Sequence, residues 1–393
     1  FFDAGFRYNN SVSFNGATDK SEYYVSFSQI SDDGMVPTDA DSYDKYTFSA
    51  RGSHKVKALT FSSSLNYSYQ KNKFATTGQG LTMLNSLYQT PRDVSIISLQ
   101  DQNDIFNSPG YFYTPYGVMN PYYILENYLN EYDAERFYGK FQVDYDFLKY
   151  FKFTYRMGLD TTTGQSNRGE PNLYALFYEG TPNGEGMGSN SPFYGKEGSY
   201  SQQITRRREI NQDLLLSFSM PINDFQINAL AGFNGNERKY SYLYSSVSKL
   251  TIPTWYNLSN SAATPTVEQY LSLRRLMGVF GQVDLSWRNM LYVTLTARND
   301  WSSTLPKENR SFFYPGVTGS FIFTELLDED MKDILSFGKV RMAWGKTGND
   351  ANVYMTKPVY GQSSNRIPFG SLNFPLGGVN AFSAGNILGS NSL

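Results

Sequence analysis

The stretch LTFSSSLNYSYQ, from Leu59 to Gln70, decides the fold because its side chains alternate between apolar and polar almost without interruption. Apart from Ser63, its odd positions carry leucine, phenylalanine or tyrosine. Its even positions carry threonine, serine, asparagine or glutamine. Successive side chains of a β-strand point to opposite faces. The stretch therefore predicts a strand with one face in an apolar medium and the other in a polar one.

The same alternation returns in several other segments of the chain. It is clearest in four runs: Phe137–Phe147, Phe151–Asp160, Val279–Trp287 and Leu291–Arg298. About twelve strands are expected, and several exceed ten residues, whereas strands of soluble sheets usually have about five or six. Such long, strictly alternating strands are typical of transmembrane β-barrels.

The predicted connections are of two kinds. Short links join strands into hairpins at Leu148–Tyr150, Pro221–Asp224 and Arg288–Met290. Long segments separate the hairpins: Asn72 to about Asp133, Thr161 to about Tyr200, and Ser241 to about Leu271. Because outer-membrane barrels have short periplasmic turns and long extracellular loops, the sequence predicts an all-β, transmembrane antiparallel barrel.

Aromatic residues near the tight turns support this interpretation. Phe147, Tyr150, Trp287 and Tyr292 stand there, as in the aromatic girdle of a membrane barrel. A soluble β-sandwich is the alternative, since it also alternates. However, its strands are shorter and its loops are rarely as long as those expected here.

Composition excludes several classes of function. The 393 residues include 34 Lys and Arg against 36 Asp and Glu, which argues against a nucleic-acid partner. With no cysteine, disulfides and thiolate metal sites are excluded. The single histidine, His54, is expected to be incidental. Aromatic residues reach 17%, and no apolar run reaches the roughly 18 residues that would predict a transmembrane helix.

Several stretches, in order, resemble the SusC/RagA-like branch of TonB-dependent outer-membrane transporters. They are Asn9–Asp39 with its Gly-Thr-Asp-Lys-like hairpin, Ser42–Lys55, MNPYYIL at Met119–Leu125, RLMGVFGQVDLSW followed by MLYVTLTARNDWSSTLPKENRSFFYPGVTGSFIFTE, and KVRMAWGKTGND at Lys339–Asp350. Two positions depart from the pattern. Asp44-Lys45 stands where the family more often has Glu-Arg, and Trp301 stands where many members have glycine.

The resemblance implies a barrel of about 22 strands around a plug domain, in the bacterial outer membrane. Residues 1–393 would form part of that barrel. The plug and a TonB-contacting segment would precede them, and about ten strands would follow. The family's partners are a SusD-like surface lipoprotein that acts as a lid and the inner-membrane TonB complex. Its cargo is a large nutrient, commonly an oligosaccharide or oligopeptide, and outer-membrane lipid and lipopolysaccharide would surround the barrel.

Two motifs invite ligand-binding interpretations. GKTG at Gly345–Gly348 lacks the earlier glycine of a phosphate-binding loop, since Val340 stands there, so a strand running into an extracellular loop is expected. A cluster of acidic residues surrounds a predicted turn: Asp32, Asp33, Asp39, Asp41 and Asp44. Oxygen ligands at this density could hold Ca²⁺, but the spacing is not that of an EF-hand. No cofactor is expected otherwise, and a solvated acidic loop is favoured.

Three further stretches could contact ligands. RRRE, from Arg206 to Glu209, could meet lipopolysaccharide phosphates or a lumenal carboxylate cluster, although a solvated strand end is favoured. YFYTPYG at Tyr111–Gly117 and PTWYN at Pro253–Asn257 could line a substrate cavity with Tyr111, Tyr113 and Trp255. Loop packing and lid contacts explain these aromatic residues equally well.

The stretch ARNDWSSTLPKENRSFFYPG, from Ala297 to Gly316, resembles an active site in composition but has no base for its serines. Arg298 and Asp300 should form a solvated ion pair on the polar face, followed by a short turn. Phe312, Phe313 and Tyr314 should begin the returning strand as an anchor at the membrane interface.

No positioned carboxylate pair of a glycosidase stands out, so no catalytic residue is expected, and the substrate-binding residues stay unassigned. The favoured function is TonB-dependent import of a large nutrient. The alternatives are a passive porin or adhesin barrel, or a soluble all-β carbohydrate-binding module.

Overall fold

The computed structural model describes residues 1–104, 106–107, 119–177, 196–362, 364–367, 370–385 and 389–390. Within these ranges the chain is mostly β-strand. Twelve strands form one antiparallel sheet in which each strand pairs with its neighbours in sequence, from β1 to β12. The prediction of about twelve long antiparallel strands is therefore confirmed, while closure of the sheet into a barrel stays a prediction.

The twelve strands are β1 (Arg7–Ala17), β2 (Ser21–Asp32), β3 (Ser42–Val56), β4 (Leu59–Lys73), β5 (Leu129–Phe147), β6 (Phe151–Glu170), β7 (Ser199–Ile222), β8 (Phe225–Ser248), β9 (Thr266–Trp287), β10 (Leu291–Ser302), β11 (Ser311–Ile322) and β12 (Lys339–Gly345). Four short strands follow as two pairs, β13 (Tyr360–Gln362) with β16 (Phe382–Ala384) and β14 (Ser364–Ile367) with β15 (Gly370–Asn373). The helices are α1 (Met83–Gln89), α2 (Pro121–Asn127), α3 (Leu173–Phe177) and α4 (Glu329–Lys332). None of the helices in the described ranges is long and apolar enough to cross a membrane.

The sheet has one apolar face and one polar face, as the alternation predicts. Directly paired residues share a face: Ser63 pairs with Phe141 on the apolar face, whereas Thr60 pairs with Asp144 on the polar face. The large apolar side chains remain accessible, and Phe141 is 47% exposed. Soluble proteins rarely expose apolar patches of this extent. The apolar face therefore has the character of a lipid-facing surface and speaks against a sandwich.

The connections differ between the two edges of the sheet. At one edge, tight turns join β3 to β4, β5 to β6, β7 to β8 and β9 to β10. Lys57 and Asn223, in the two-residue turns, have the positive φ angles that such hairpins favour. Leu148 and Arg288, in the three-residue turns, also have positive φ angles. At the other edge, the longest connections span residues 74–128, 171–198 and 249–265. The predicted asymmetry is confirmed, apart from a longer connection at residues 323–338 on the short-turn edge.

Three predicted strand boundaries were wrong. β6 continues to Glu170 although a loop was expected from Thr161, and β8 and β9 continue through Ser248 and from Thr266. In these outer parts both faces carry many polar residues, so the alternation fades although the backbone ladder continues. An alternation of apolar and polar residues appears only where the two faces of a strand meet different media. It therefore underestimates the length of a strand that continues beyond an apolar layer.

The buried side chains lie mainly in the long connections. One cluster contains Met119, Tyr123 and Ile124 with Leu173, and another contains Tyr200, Val247 and Leu250. Burial raises the pKa of the Tyr123 phenol to about 12. The long loops thus form a packed layer at one edge of the sheet.

Candidate functional site

The polar face carries a concavity of about 1150 Å³ near the long-loop edge. It is lined by residues from seven neighbouring strands, β3 to β9, and by the segment after β12. Those used below are Arg136, Asp160, Arg207, Glu209, Arg238, Tyr240, Tyr270, Arg274 and Asp350. Its lining combines aromatic rings, guanidinium groups and hydroxyls, which is the chemistry that binds polar oligomers through stacking and hydrogen bonds.

Three tyrosines form an aromatic cluster on this wall. The Tyr242 and Tyr270 rings are stacked with centroids 5.6 Å apart, and Tyr240 lies 6.2 Å and 6.0 Å from them. Arg207 lies 5.3 Å above the Tyr240 ring, and the Tyr242 hydroxyl donates to Glu268 at 3.0 Å. The cluster brings flat faces and a cation to the concavity, so it can stack against a sugar ring or a peptide side chain.

Three carboxylates of the polar face are held in ion pairs. Arg136 forms two hydrogen bonds with Asp160, at 3.0 and 2.6 Å, and Arg238 lies 3.0 Å from Glu209. Deeper along the same face, the carboxylate of Asp213, which is nearly buried, accepts from Arg156 at 2.8 Å. Charge-assisted hydrogen bonds of this kind fix the positions of both partners. This arrangement suits ligand binding better than acid catalysis.

The segment after β12 is held against this wall by one carboxylate. Asp350 forms an ion pair with Arg274 and accepts hydrogen bonds from Ser302 and from Thr304, the latter at 3.0 Å. The Tyr354 hydroxyl also accepts from the backbone N–H of Leu273 at 3.3 Å. Burial raises the pKa of Asp350, but the bonds from Ser302, Arg274 and Thr304 together hold it below its usual range.

We expect Asp350→Asn to loosen this segment. A hydrogen bond to a charged group contributes about 1.5–3 kcal/mol, so amide exchange around residues 346–354 should quicken roughly thirtyfold. In the unmodified protein the pKa of Asp350 is lower in the folded state than in the unfolded state. The stabilisation of this segment by Asp350 is therefore complete above the ordinary aspartate pKa of about 4, and it is lost as the pH falls through the pKa of the folded state. The exposed Asp330→Asn is the control. Equal exchange in both variants would contradict the role of Asp350.

The stretch from Ala297 to Gly316 has a structural role, as predicted, but its ion pair is less exposed to solvent than expected. Arg298 and Asp300 pair on the polar face at 2.7 Å as expected. The carboxylate, however, is only 13% exposed, so the pair is less solvated than predicted. A Cβ at Gly278, directly across the ladder, would collide with both side chains, so glycine leaves the room for the pair.

The predicted aromatic anchor is only partly right. Phe312 and Tyr314 pair across the ladder with Asp300 and Arg298, so both lie on the polar face, where their rings stack at 6.3 Å. Phe313 alone faces the apolar side and is 57% exposed. Consecutive residues of a strand cannot share a face, which is why the trio could not act together. Tyr292 likewise lies on the polar face, paired with Ser286.

RRRE lies well inside β7, which begins at Ser199, and the expectation of a strand end was wrong. Its residues divide between the two faces. Arg207 and Glu209 lie on the polar face, where Arg238 pairs with Glu209. Arg206 and Arg208 lie on the apolar face, where Arg208 contacts Glu237 at 3.1 Å.

The acidic turn uses its carboxylates to fix the backbone. Asp41 accepts from the N–H groups of Met35 and Val36 at 3.2 and 3.0 Å, and Asp44 accepts from the Ser31 hydroxyl at 2.7 Å. Asp32 accepts from the Gly34 N–H at 3.0 Å. Among the residues that the structure describes, no three Asp, Glu, His or Cys side chains are grouped to hold a metal ion.

The loop aromatics take different roles. Tyr256 stacks on Tyr200 at 6.3 Å and donates to the carbonyl of Asn127, and burial raises its pKa well above the usual range. Its neighbour Trp255 is 46% exposed and remains available to a ligand or a lid. The predicted pair Tyr111 and Tyr113 lies outside the described residues.

The remaining motifs have structural roles. β12 ends at Gly345 and the chain then leaves the sheet, with the Lys346 N–H bonded to the Pro315 carbonyl at 3.0 Å. GKTG is therefore a strand end followed by a loop, as expected. His54 lies on the apolar face with Nδ1 2.7 Å from the Ser21 hydroxyl.

Sequence reasoning missed the aromatic cluster and the Asp350 contact. The run KYSYLYSS, from Lys239 to Ser246, does place tyrosines at every second position, so a period-two search could have found Tyr240 and Tyr242. Asp350 lies 76 residues from Arg274 and nothing local marks that pair.

Known proteins resemble the chain over most of its length, although no family model matches it. TonB-dependent receptor P3 of Formosa agariphila is 22% identical over 355 residues, covering 87% of this chain and 33% of the relative. TonB-dependent receptor SusC of Bacteroides thetaiotaomicron is 24% identical over 397 residues, covering 94% and 37%. The chain thus spans about a third of the length of the curated relatives it matches.

Solved structures support the same fold. The RagAB peptide transporter superposes with a TM-score of 0.74 at 15% identity, covering 98% of this chain and 41% of that one. The RagAB peptide importer in its closed-closed state gives 0.76 at 15% identity, covering 100% and 41%. At this identity the likeness concerns the fold alone.

Proposed function

This chain is SusC/RagA-like and related to the TonB-dependent outer-membrane receptors, and we propose that it forms part of the wall of a barrel that imports a large nutrient. The similarity confirms the predicted resemblance and the outer-membrane location. The relatives are named receptors, which is consistent with the expectation that the chain is not an enzyme. The proposed cargo is an oligosaccharide or an oligopeptide, and import depends on TonB.

The observation that carries the proposal is the division of the sheet into two faces. The apolar face exposes large side chains such as Phe141 and Met277, which suits lipid. The polar face carries the tyrosine cluster and paired charges around the 1150 Å³ concavity, which suits a hydrated passage. A wide barrel with such a lining accommodates an oligomer rather than a single small ion.

The packed loops support a second part of the proposal, a SusD-like lipoprotein as a lid. Residues of α2 pack in one buried cluster with Leu173, and Leu250 packs in another with Tyr200 and Val247, so both loops offer an ordered surface to a partner. Trp255 is exposed on that layer and provides an aromatic contact for a lid or for cargo. Contacts with the TonB complex would come from segments other than residues 1–393, as would the plug.

Uptake by cells tests the function. The full-length protein would be produced with its neighbouring lipoprotein, and uptake of a labelled oligopeptide library and of a labelled glycan hydrolysate would be measured with and without TonB. We expect one of the two mixtures to enter only when TonB is present. Uptake that persists without TonB would instead favour the passive porin, and uptake of neither mixture would favour an adhesin.

The tyrosine cluster provides a second prediction. The double variant Tyr242→Ala with Tyr270→Ala should bind the oligopeptide or glycan mixture that is taken up about tenfold more weakly, measured with the purified complex of the full-length protein and its lipoprotein. Each aromatic contact contributes about 0.5–1.5 kcal/mol in addition to the burial of its surface area. Tyr67→Ala with Tyr145→Ala removes two rings from the apolar face and is the matched control. Equal affinities for the two double variants would remove the cluster from the binding wall.

A further inference from the structure

The apolar face carries a group of cations that the transport proposal leaves without a role. The group comprises four cations, Arg206 and Arg208 of β7, Lys239 of β8 and Arg275 of β9, together with Glu237 of β8, which pairs with two of them, Arg208 and Arg275. We name these five residues the outer cation patch. All four cations are exposed. Four positive charges around one negative charge leave the patch with a net charge of about +3 at pH 7.

Cross-strand register places these cations side by side on one face. Arg208 pairs directly with Lys239, and Glu237 pairs directly with Arg275. Glu237 binds Arg208 at 3.1 Å and Arg275 at 2.8 Å, so its charge is shared between two guanidinium groups. Like charges directly opposite each other destabilise a sheet. In the described part of the chain, neither Arg206 nor Lys239 has a carboxylate partner, and the patch therefore calls for an anion from outside the protein.

The height of the patch indicates where that anion resides. On β9 the apolar-face residues from Trp287 up to Met277 are uncharged, and Arg275 is the next outward position. Met277 lies ten residues from Trp287 along β9. At about 3.4 Å per residue, and with strands tilted by about 40° from the barrel axis, this distance corresponds to a height of about 26 Å, close to the roughly 25 Å apolar band of a membrane barrel. Trp301, which pairs with Met277, lies at the same level, where interfacial tryptophans are found.

We propose that the outer cation patch binds the phosphate groups of an outer-leaflet lipid, as in the lipid A part of lipopolysaccharide. The inference rests on the proposed outer-membrane function for its orientation, because the patch lies toward the long, extracellular loops. Arginine and lysine in one plane match a phosphorylated headgroup. The apolar side chains below them, among them Ile210 and Phe233, accept the acyl chains.

Lipid binding by the purified full-length protein tests the proposal. Diphosphorylated lipid A, fully dephosphorylated lipid A and inorganic phosphate would each be titrated in detergent and followed by native mass spectrometry. Arg206→Gln with Lys239→Gln should bind diphosphorylated lipid A about thirtyfold more weakly, which corresponds to about 1 kcal/mol for each cation at a charged membrane surface. Added salt should weaken binding by the unmodified protein.

The control removes the same charge from the other face of the same sheet. Arg207→Gln with Lys45→Gln changes two cations that the strand register places on the polar face, and lipid A binding should remain at the unmodified level. Arg206→Lys with Lys239→Arg keeps the charge and should also bind normally, which separates charge loss from misfolding. Equal binding by the two glutamine variants, equal binding of dephosphorylated lipid, or equal affinity for inorganic phosphate alone would overturn the proposal. The assay contains neither nutrient nor TonB, so failed uptake would leave its result unchanged.

Discussion

Replacing Phe141 by arginine is expected to lower the free energy of unfolding of the membrane-inserted protein by about 2–4 kcal/mol, the cost of a lipid-facing cation near the bilayer midplane. Phe141 is 47% exposed on the apolar face and lies midway along the apolar part of β5, between Phe137 and Phe147. Folding into lipid vesicles, followed over a denaturant series, would measure the loss.

The control for this substitution lies one residue along the neighbouring strand. Ser63 is the direct partner of Phe141, and Ser62 therefore occupies the same level on the polar face. Ser62→Arg should change the free energy of unfolding by less than about 1 kcal/mol, because a hydrated face tolerates a cation. The account fails if Ser62→Arg costs as much as Phe141→Arg, or if neither substitution has an effect.

Asn120→Ala is expected to open the packed loop layer. The fully buried Asn120 caps α2 by accepting from the Tyr122 N–H at 2.9 Å. Its amide group also donates to the carbonyls of Leu99 and Asn107 at 2.8 and 2.7 Å. Removing the cap costs about 1 kcal/mol, and leaving buried carbonyls without a donor costs about 1–3 kcal/mol each. The local stability of residues 97–104 and 119–127 should therefore fall by about 3 kcal/mol or more.

Hydrogen exchange across the loop measures this change. In Asn120→Ala, amides of α2 should exchange at least a hundredfold faster, since about 3 kcal/mol corresponds to more than two decades. Asn120→Asp keeps the acceptor for Tyr122 and loses the two donated bonds, so it separates the cap from the cross-loop contacts. Asn103→Ala, at an exposed position of the same loop, is the control. Protection of α2 that survives Asn120→Ala would contradict the role given to this side chain.

The sheet could be predicted because its two faces meet different media. In β4 the alternation from Leu59 to Tyr69 reports both the strand and the face of each residue, and the structure places them so. The tight turns at Leu148–Tyr150 and Arg288–Met290 also followed from the sequence, because the flanking runs end sharply there.

Strand boundaries and side-chain faces were predicted wrongly where both faces of a strand carry polar residues or where neighbouring residues were assigned to one face. The strand residues between Thr161 and Glu170 are polar on both faces, so only the backbone ladder with β7 marks them as strand. The sequence predicts one anchor from Phe312, Phe313 and Tyr314, but alternation divides them between the two faces. The same division of RRRE put Arg206 toward lipid and Arg207 toward the polar side.

The candidate site was harder to predict because its contacts are distant in sequence. Tyr242 and Tyr270 meet only through the register of β8 with β9, and Asp350 reaches Arg274 from a segment outside the sheet. The alternation of residues within one strand does not indicate such contacts between residues that are distant in sequence. The motif at Asn120 was visible as a family resemblance, but its capping role required the positions of Leu99 and Asn107.

Spin labels along β4 of the full-length protein in lipid bilayers would test the central claim most directly, namely that the two faces of this sheet meet lipid and water. Residues 1–393 contain no cysteine, so single cysteines at each position from Leu59 to Tyr69 can carry the label once any cysteine elsewhere in the full-length protein is replaced by serine. We predict that oxygen accessibility, which is high in lipid, peaks at the odd positions. Accessibility to a water-soluble nickel complex should peak at the even positions. Equal accessibility of both faces to the nickel complex would contradict the account, because it would describe a sheet surrounded by water.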